Sequence, residues 1–290
     1  MKNIIIDTDM GVDDIIAISL LLNNPNINIK AISTVKGVSD LTTGTQNLAC
    51  LLTWLEKTDL PIYQGFEPPP QKVNFPNSDR RRANNLTLLN SLPLPKFPSK
   101  KICIRKLNNY LSRPTSLLCL GPLTNIAKII KNSKKNINEV FIMGGAVFKP
   151  GNIPPDYLCE YNIALDPIAA KIVFSSGLPI TLVATDATKQ APAINEQFLK
   201  AVLATKPQAP EGKIIKTIII NNRRDFIDFY DPLAAAILVN PKLISSSKKI
   251  NLAITSDGQT IGQLNKTGNI NLVTKINKQA FYQFLINSIN

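Results

Sequence analysis

Histidine is absent from all 290 residues. That absence excludes imidazole as general acid, general base or metal ligand, so proton transfer falls to carboxylates, tyrosine, lysine or water. Cysteine is scarce. Cys50, Cys103, Cys119 and Cys159 have no paired spacing and lie in apolar segments, which reads as reduced thiols in a cytoplasmic protein and not as a disulfide framework. Long apolar runs are also missing. Stretches such as Ile15–Leu22 fall far short of the ~20 residues that cross a bilayer, and Met1-Lys2-Asn3 opens no signal-peptide pattern, so no membrane partner is expected. No Gly-x-Gly-x-x-Gly follows a strand-like run, which removes the dinucleotide-binding turn.

Acid is outnumbered by base, 20 Asp and Glu against 33 Lys and Arg, for a net charge of +13. Basic clusters stand at Arg80-Arg81-Arg82, Lys100–Lys106 and Lys128–Lys135. Such charge attracts nucleic acid or phosphorylated substrates. No nucleic-acid-binding motif accompanies it here, and a solvated Lys-rich surface accounts for it without a nucleic-acid partner.

The acids that are present are concentrated at one point. Ile4-Ile5-Ile6-Asp7-Thr8-Asp9-Met10-Gly11-Val12-Asp13-Asp14 places four carboxylates in eight residues. The β-branched run reads as a buried parallel strand and Ile15–Leu22 as the helix after it, so the acids fall where a strand emerges, the place where open α/β sheets bind ligands. One or two acids would serve to charge a helix N-terminus. Four would repel one another, and a hard cation with oxygen ligands, Ca²⁺ or Mg²⁺, relieves that repulsion.

The spacing predicts strands near Asn3–Asp7, Ile27–Thr34, Pro61–Tyr63, Thr115–Leu120, Glu139–Met143, Pro179–Ala184, Ile250–Thr255 and Asn269–Thr274. It predicts helices near Asp13–Asn23, Thr43–Lys57, Lys100–Leu111, Leu123–Lys131, Pro167–Ser175, Glu196–Ala204, Ile214–Phe229, Pro232–Val239 and from Lys278. This alternation is that of a single α/β domain over residues 1–290, with a mostly parallel central sheet flanked by helices. Residues 66–98 break the rhythm with seven prolines and the Arg triplet, which denies a regular ladder and predicts a long loop, functional or disordered, with room for one short helix.

The acidic segment resembles the Asp-Thr-Asp-Pro-Gly-x-Asp-Asp signature of the inosine–uridine-preferring nucleoside hydrolases, with Met10 in place of the proline. Gly121-Pro122-Leu123-Thr124-Asn125, Met143-Gly144-Gly145, Gly151-Asn152 with Glu160-Tyr161-Asn162 and Asp166-Pro167, and Tyr230-Asp231-Pro232 follow in that family's order. The resemblance implies metal-dependent hydrolysis of the N-glycosidic bond of a ribonucleoside, and a homodimer or homotetramer. It implies Ca²⁺ held by Asp9, Asp14, Asp231 and a backbone carbonyl near Leu120, with Asp9 also the general base and Asp7 orienting the ligands. Asp13, Asn152, Glu160 and Asn162 would hold the ribose. The chain is longer than the family between Met143 and Asn162, which bears most on Asn152.

Three departures concern the leaving base. Tyr230 stands where inosine–uridine-preferring members carry histidine, Val38 where an asparagine is usual, and the His-Gly motif of the loop is missing. Tyr230 is therefore the candidate to meet the base, by stacking, hydrogen bonding or proton donation. Arg223, Phe226 and Tyr230 would share one helix face, to grip a base or a phosphate or merely to pack. The expected substrate is a nucleoside with a different or modified base, or one carrying a phosphate, with weak turnover of inosine and uridine. A non-catalytic relative that keeps the metal and binds a nucleoside is the alternative. An Asp-x-Asp phosphatase fits less well, because Gly11 stands where such enzymes want Thr or Val.

Overall fold

The computed structural model describes residues 1–85, 109–132, 134–192, 195–222 and 228–290. Nine strands form one sheet: β1 (Lys2–Thr8), β2 (Ile27–Thr34), β3 (Ile62–Gln64), β4 (Thr115–Cys119), β5 (Ile137–Met143), β6 (Ile180–Val183), β7 (Ile244–Ile254), β8 (Thr260–Leu264) and β9 (Ile270–Ile276). Their order is β3-β2-β1-β4-β5-β6-β9-β7-β8. All pairs from β3 across to β9 are parallel, and β7 runs antiparallel to both of its neighbours. The chain leaves β1 towards β2 and β3, then returns to place β4 on the other side of β1. The crevice above the carboxyl ends of β1 and β4 is thus a topological switch point, where such sheets bind ligands.

Among the described residues eleven α-helices cover the two faces: α1 (Val12–Leu22), α2 (Leu41–Trp54), α3 (Asn77–Asn84), α4 (Thr124–Asn132), α5 (Tyr161–Ala164), α6 (Pro167–Phe174), α7 (Thr185–Thr188), α8 (Glu196–Ala204), α9 (Pro210–Asn221), α10 (Asp231–Val239) and α11 (Lys278–Ile289). Two apolar cores result, one holding Ile4, Ile6, Ile15 and Leu233, the other Ile5, Leu117, Ile126 and Val173. Ile4, Ile5 and Ile6 alternate between them, so β1 is buried on both sides. The helix α1 is itself enclosed, with Ile15, Ile16, Ala17 and Ile18 fully buried. Small residues on α10, Ala234-Ala235-Ala236, are fully buried beside it. That close packing sets the N-termini of α1 and α10 side by side.

Several expectations need correction. The helix predicted over Ile214–Phe229 runs Pro210–Asn221, and Asp228 bridges Pro192, so Tyr230 does not continue that helix. Arg223, Arg224 and Phe226 lie outside the described residues, as do Cys103, the Lys100–Lys106 cluster and most of the predicted helix 100–111. Strand β8 was not expected, because exposed Ile261 and Leu264 blur its alternation. The short helices α5 and α7, of four residues each, are below the length that periodicity resolves. The Pro-rich loop does carry one short helix, α3, opened by Pro76. Asp166 caps α6 by accepting from the Ala169 N–H, and its other oxygen accepts the Thr124 hydroxyl, which joins two of the motifs. No helix among the described residues is long and apolar enough to cross a membrane.

Candidate active site

Two helix N-termini and one strand end converge on the crevice. Asp13 and Asp14 occupy the first turn of α1, Asp231 opens α10 ahead of Pro232, and Asp9 follows β1. Each helix end presents orphan N–H groups and a positive dipole end, which favours carboxylates there. Ligand oxygens of Asp13, Asp14 and Asp231 lie within 4.8 Å of one another. Asp14 accepts from the Gly11 N–H at 2.8 Å and from the Thr8 hydroxyl, and Asp13 accepts from the Asp231 N–H at 3.3 Å. The cap position of α10 falls to Tyr230, which makes no side-chain cap bond, and Asp231 stands in the first turn. Its Oδ1 is buried without a hydrogen-bond partner among the described residues.

Asp9 stands beside this triad and not within it. One of its oxygens accepts from the Val38 N–H at 2.8 Å, and its carboxyl shares a hydrogen bond with Asp14. Glycines make room for it: a Cβ on Gly37 would come within 2.0 Å of Asp9 Oδ2, and one on Gly121 within 3.0 Å of Asp9 Cβ. Met10 turns the chain in the left-handed region, φ 53, which a proline ring forbids, so the exchange of proline for Met10 is matched by the backbone.

The carboxyls do not titrate as isolated acids. Burial pushes Asp14 up to about 7, with the Asp13 charge adding to the shift. Asp9 and Asp231 are held well above the usual carboxylate range by burial and then by the Asp14 charge, and burial also raises Asp13. Crowded buried carboxylates plus an orphaned oxygen form a donor set that fits a hard divalent cation. Leu120 lines the same cleft, and its carbonyl accepts from Asn162 Nδ2 at 3.2 Å with a second lone pair left on the oxygen.

Asp9, Asp13, Asp14, Leu120, Asn152, Glu160, Asn162, Tyr230 and Asp231 all line one cleft of about 440 Å³. Asp7 sits below it. Its Oδ1 accepts from Asn125 Nδ2 at 2.7 Å and from the Ser33 hydroxyl, and burial raises its pKa to about 7. Asp7 therefore braces β1 against β2 and α4 and does not touch the triad directly. Glu160 caps α5, accepting from the N–H groups of Asn162, Ile163 and Gly145. Burial raises its pKa, and hydrogen bonds from those amides and from Asn152 pull it back. Asn152 Oδ1 accepts from the Tyr161 N–H at 3.2 Å, so the longer loop still delivers that side chain to Glu160.

Sequence reasoning missed Asp228 as a site residue. It lines the cleft and shares a hydrogen bond with Tyr230. Burial and then the Asp228 charge push the Tyr230 phenol well above its ordinary value. Phe75, Asp79, Arg82 and Tyr161 also line the cleft. Phe75 stacks on Tyr161 with centroids 4.3 Å apart. A contact so distant in sequence leaves no local pattern to find.

The profile of the inosine-uridine preferring nucleoside hydrolases matches residues 4–283. The chain belongs to this nucleoside hydrolase family. It is an N-ribohydrolase, which cleaves ribonucleosides to base and ribose. Similar relatives include a pyrimidine-specific ribonucleoside hydrolase of Photobacterium profundum, 31% identical over 84% of this chain and 82% of that protein. A non-specific ribonucleoside hydrolase of Salmonella paratyphi B is 29% identical over 98% and 96%. The structure of a purine-preferring ribonucleoside hydrolase from Gardnerella vaginalis superposes with a TM-score of 0.80 at 25% identity, covering 99% of this chain and 98% of that one. The preferences in the names of these relatives differ, from pyrimidine-specific to non-specific to purine-preferring.

Proposed function

We propose that this nucleoside hydrolase cleaves an uncharged ribonucleoside with the help of Ca²⁺ held by Asp9, Asp14, Asp231 and the Leu120 carbonyl, with Asp13 able to reach both cation and ribose. The observation that carries the reading is the triad of Asp13, Asp14 and Asp231 within 4.8 Å on the wall of a cleft also lined by Asn152, Glu160 and Asn162. When bound there, the cation would lower the pKa of a water and neutralise the crowded carboxylates. Asp9, steered by the Val38 N–H, is placed to take a proton from the water that attacks C1′. The bond from C1′ to the base nitrogen breaks, and its electron pair leaves with the base. Asn152, Glu160, Asn162 and Asp13 fix the ribose hydroxyls through paired donors and acceptors.

The cleft argues against a 5′-phosphate. Among its described lining residues six aspartates and Glu160 face a single cationic side chain, Arg82, already paired with Asp79. A phosphate dianion would meet mostly like charge there. Arg80, considered for that task, pairs with Asp40 instead.

The test is a panel of ribonucleosides and their 5′-monophosphates, assayed for released ribose or ribose phosphate after chelation and after return of Ca²⁺ or Mg²⁺. Ribose from nucleosides, lost on chelation and restored best by Ca²⁺, is the expected result. No ribose from any nucleoside in the presence of Ca²⁺ would leave the non-catalytic binding reading standing.

A further inference from the structure

The departing base carries away an electron pair, yet the chain has no histidine to protonate it. The one cation among the described residues of the cleft wall is Arg82. The helix α3 presents it by a two-sided pattern. Arg80 and Asn84, four residues apart, turn to one side and bind the Asp40 carboxylate at 2.5 and 2.9 Å. Asn47 Nδ2 donates to the Ala83 carbonyl at 2.9 Å, and Phe75, just before α3, is stacked on Tyr161. The helix is thus fixed against α2 at one side and against the ribose-binding segment at the other. Asp79 and Arg82, three residues apart, face the cleft, and Asp79 Oδ1 holds Arg82 Nη2 at 2.5 Å.

We propose that Arg82, positioned by Asp79, is the group that stabilises the leaving base, donating N–H hydrogen bonds to the oxo oxygen of a uracil- or hypoxanthine-type base as the glycosidic electron pair moves into its ring. The inference rests on the hydrolase reading above. The electron pair of the C1′–N bond delocalises onto the conjugated carbonyl, where a guanidinium is a matched donor. The base takes its proton from water after departure, and Asp9 returns to solvent the proton taken from the attacking water, so the net reaction consumes one water. Asp79 is a positioning residue: it sets the guanidinium and does not meet the substrate.

The experiment compares uridine and inosine with 4-nitrophenyl β-D-ribofuranoside in Ca²⁺, because nitrophenolate leaves without assistance. Arg82→Met should lower kcat on the nucleosides by about 10²-fold, the lower end of the range for loss of a preorganised donor, since the Arg82 side chain is 36% exposed and partly screened. The loss on the aryl riboside should be at least tenfold smaller. Arg82→Lys should recover part of the nucleoside rate. Arg81→Met, which removes the same charge from the exposed side of α3, should keep the wild-type ratio between substrates. Equal losses on both substrates, or no loss, would overturn the assignment. Wild-type protein that cleaves the aryl riboside but neither nucleoside would overturn the assignment too, whereas cleavage of none of the three in Ca²⁺ would overturn the hydrolase reading.

Discussion

Chelation should make the protein's stability depend on pH in a way that bound cation removes. Asp14 is 1% exposed and its carboxyl is pushed from 3.8 to about 7 by burial and the Asp13 charge. A shift of that size makes the ionised form cost on the order of 4 kcal/mol in the folded protein, at about 1.4 kcal/mol per unit. The folded pKa is raised, so between these values the native state binds the extra proton. The contribution is fully present below the unfolded value, and it is lost as pH rises through about 7. Cation competes with those protons and removes the repulsion, so its stabilising effect should be small near pH 4.5 and large near pH 8. At roughly 2–4 °C per kcal/mol for a large domain, the gain in Tm on adding Ca²⁺ to chelated protein should rise by about 10 °C across that range. Thermal unfolding followed by fluorescence at both pH values, with and without Ca²⁺, measures it. Asp14→Asn should raise the Tm of chelated protein at pH 8 and abolish most of the Ca²⁺ gain. A Ca²⁺ effect equal at both pH values, or an Asp14→Asn variant with the full gain, would show that these buried carboxylates are not the cation site.

Asp9→Asn should leave the Tm within a few degrees of wild type and remove turnover, since an amide can ligate but cannot take the water's proton; retention of a tenth of the rate would exclude Asp9 as general base. Gly37→Ala drives a Cβ to 2.0 Å from Asp9 Oδ2, and kcat should fall at least about tenfold with the fold retained, as expected when a catalytic group is displaced; unchanged kcat would mean that the Asp9 position is not critical. Tyr230 shares its hydrogen bond with Asp228 and has a raised pKa, which opposes a role as acid. Tyr230→Phe should therefore stay near wild type while Tyr230→Ala raises KM, and a drop of about 10²-fold for Phe would restore the acid role.

The acidic floor of the cleft was legible in the sequence because it is local. Asp7 to Asp14 follow one buried strand and open one helix, and both the strand and the helix announce themselves by composition. Asp231 needed a second local signal, Asp-Pro at a helix start, which the structure matches with α10. The parallel pairing up to β6 follows from strand–helix alternation, whereas the strand order and the antiparallel excursion through β7 and β8 follow no periodic rule. The resemblance offered Asp9 as ligand and base together; its carboxyl accepts from the Val38 N–H beside the triad, within reach of Asp14, while Asp13 joins Asp14 and Asp231 in the tightest group. A spacing argument assigns residues to a turn, and only the path of that turn, here with Met10 left-handed, decides which carboxylates meet.

The base-facing half was the harder part for a physical reason. Its walls are assembled from segments far apart in sequence: Phe75 against Tyr161, Arg80 and Asn84 against Asp40, Asp228 against Tyr230. Each contact is a single polar or aromatic pair, with no periodicity to mark it. The missing histidine pointed to a rewritten leaving-group site, with Tyr230 expected to meet the base by stacking, hydrogen bonding or proton donation. Burial next to Asp228 works against that chemistry, because a phenol already hydrogen-bonded to a carboxylate and raised in pKa gives up its proton less readily. What the cleft offers in place of a proton is charge. In a wall otherwise crowded with carboxylates, one guanidinium fixed by Asp79 alters the energy of a departing anion more than a neutral hydroxyl can. A hydrolase built this way would favour bases that tolerate negative charge over bases that must be protonated to leave.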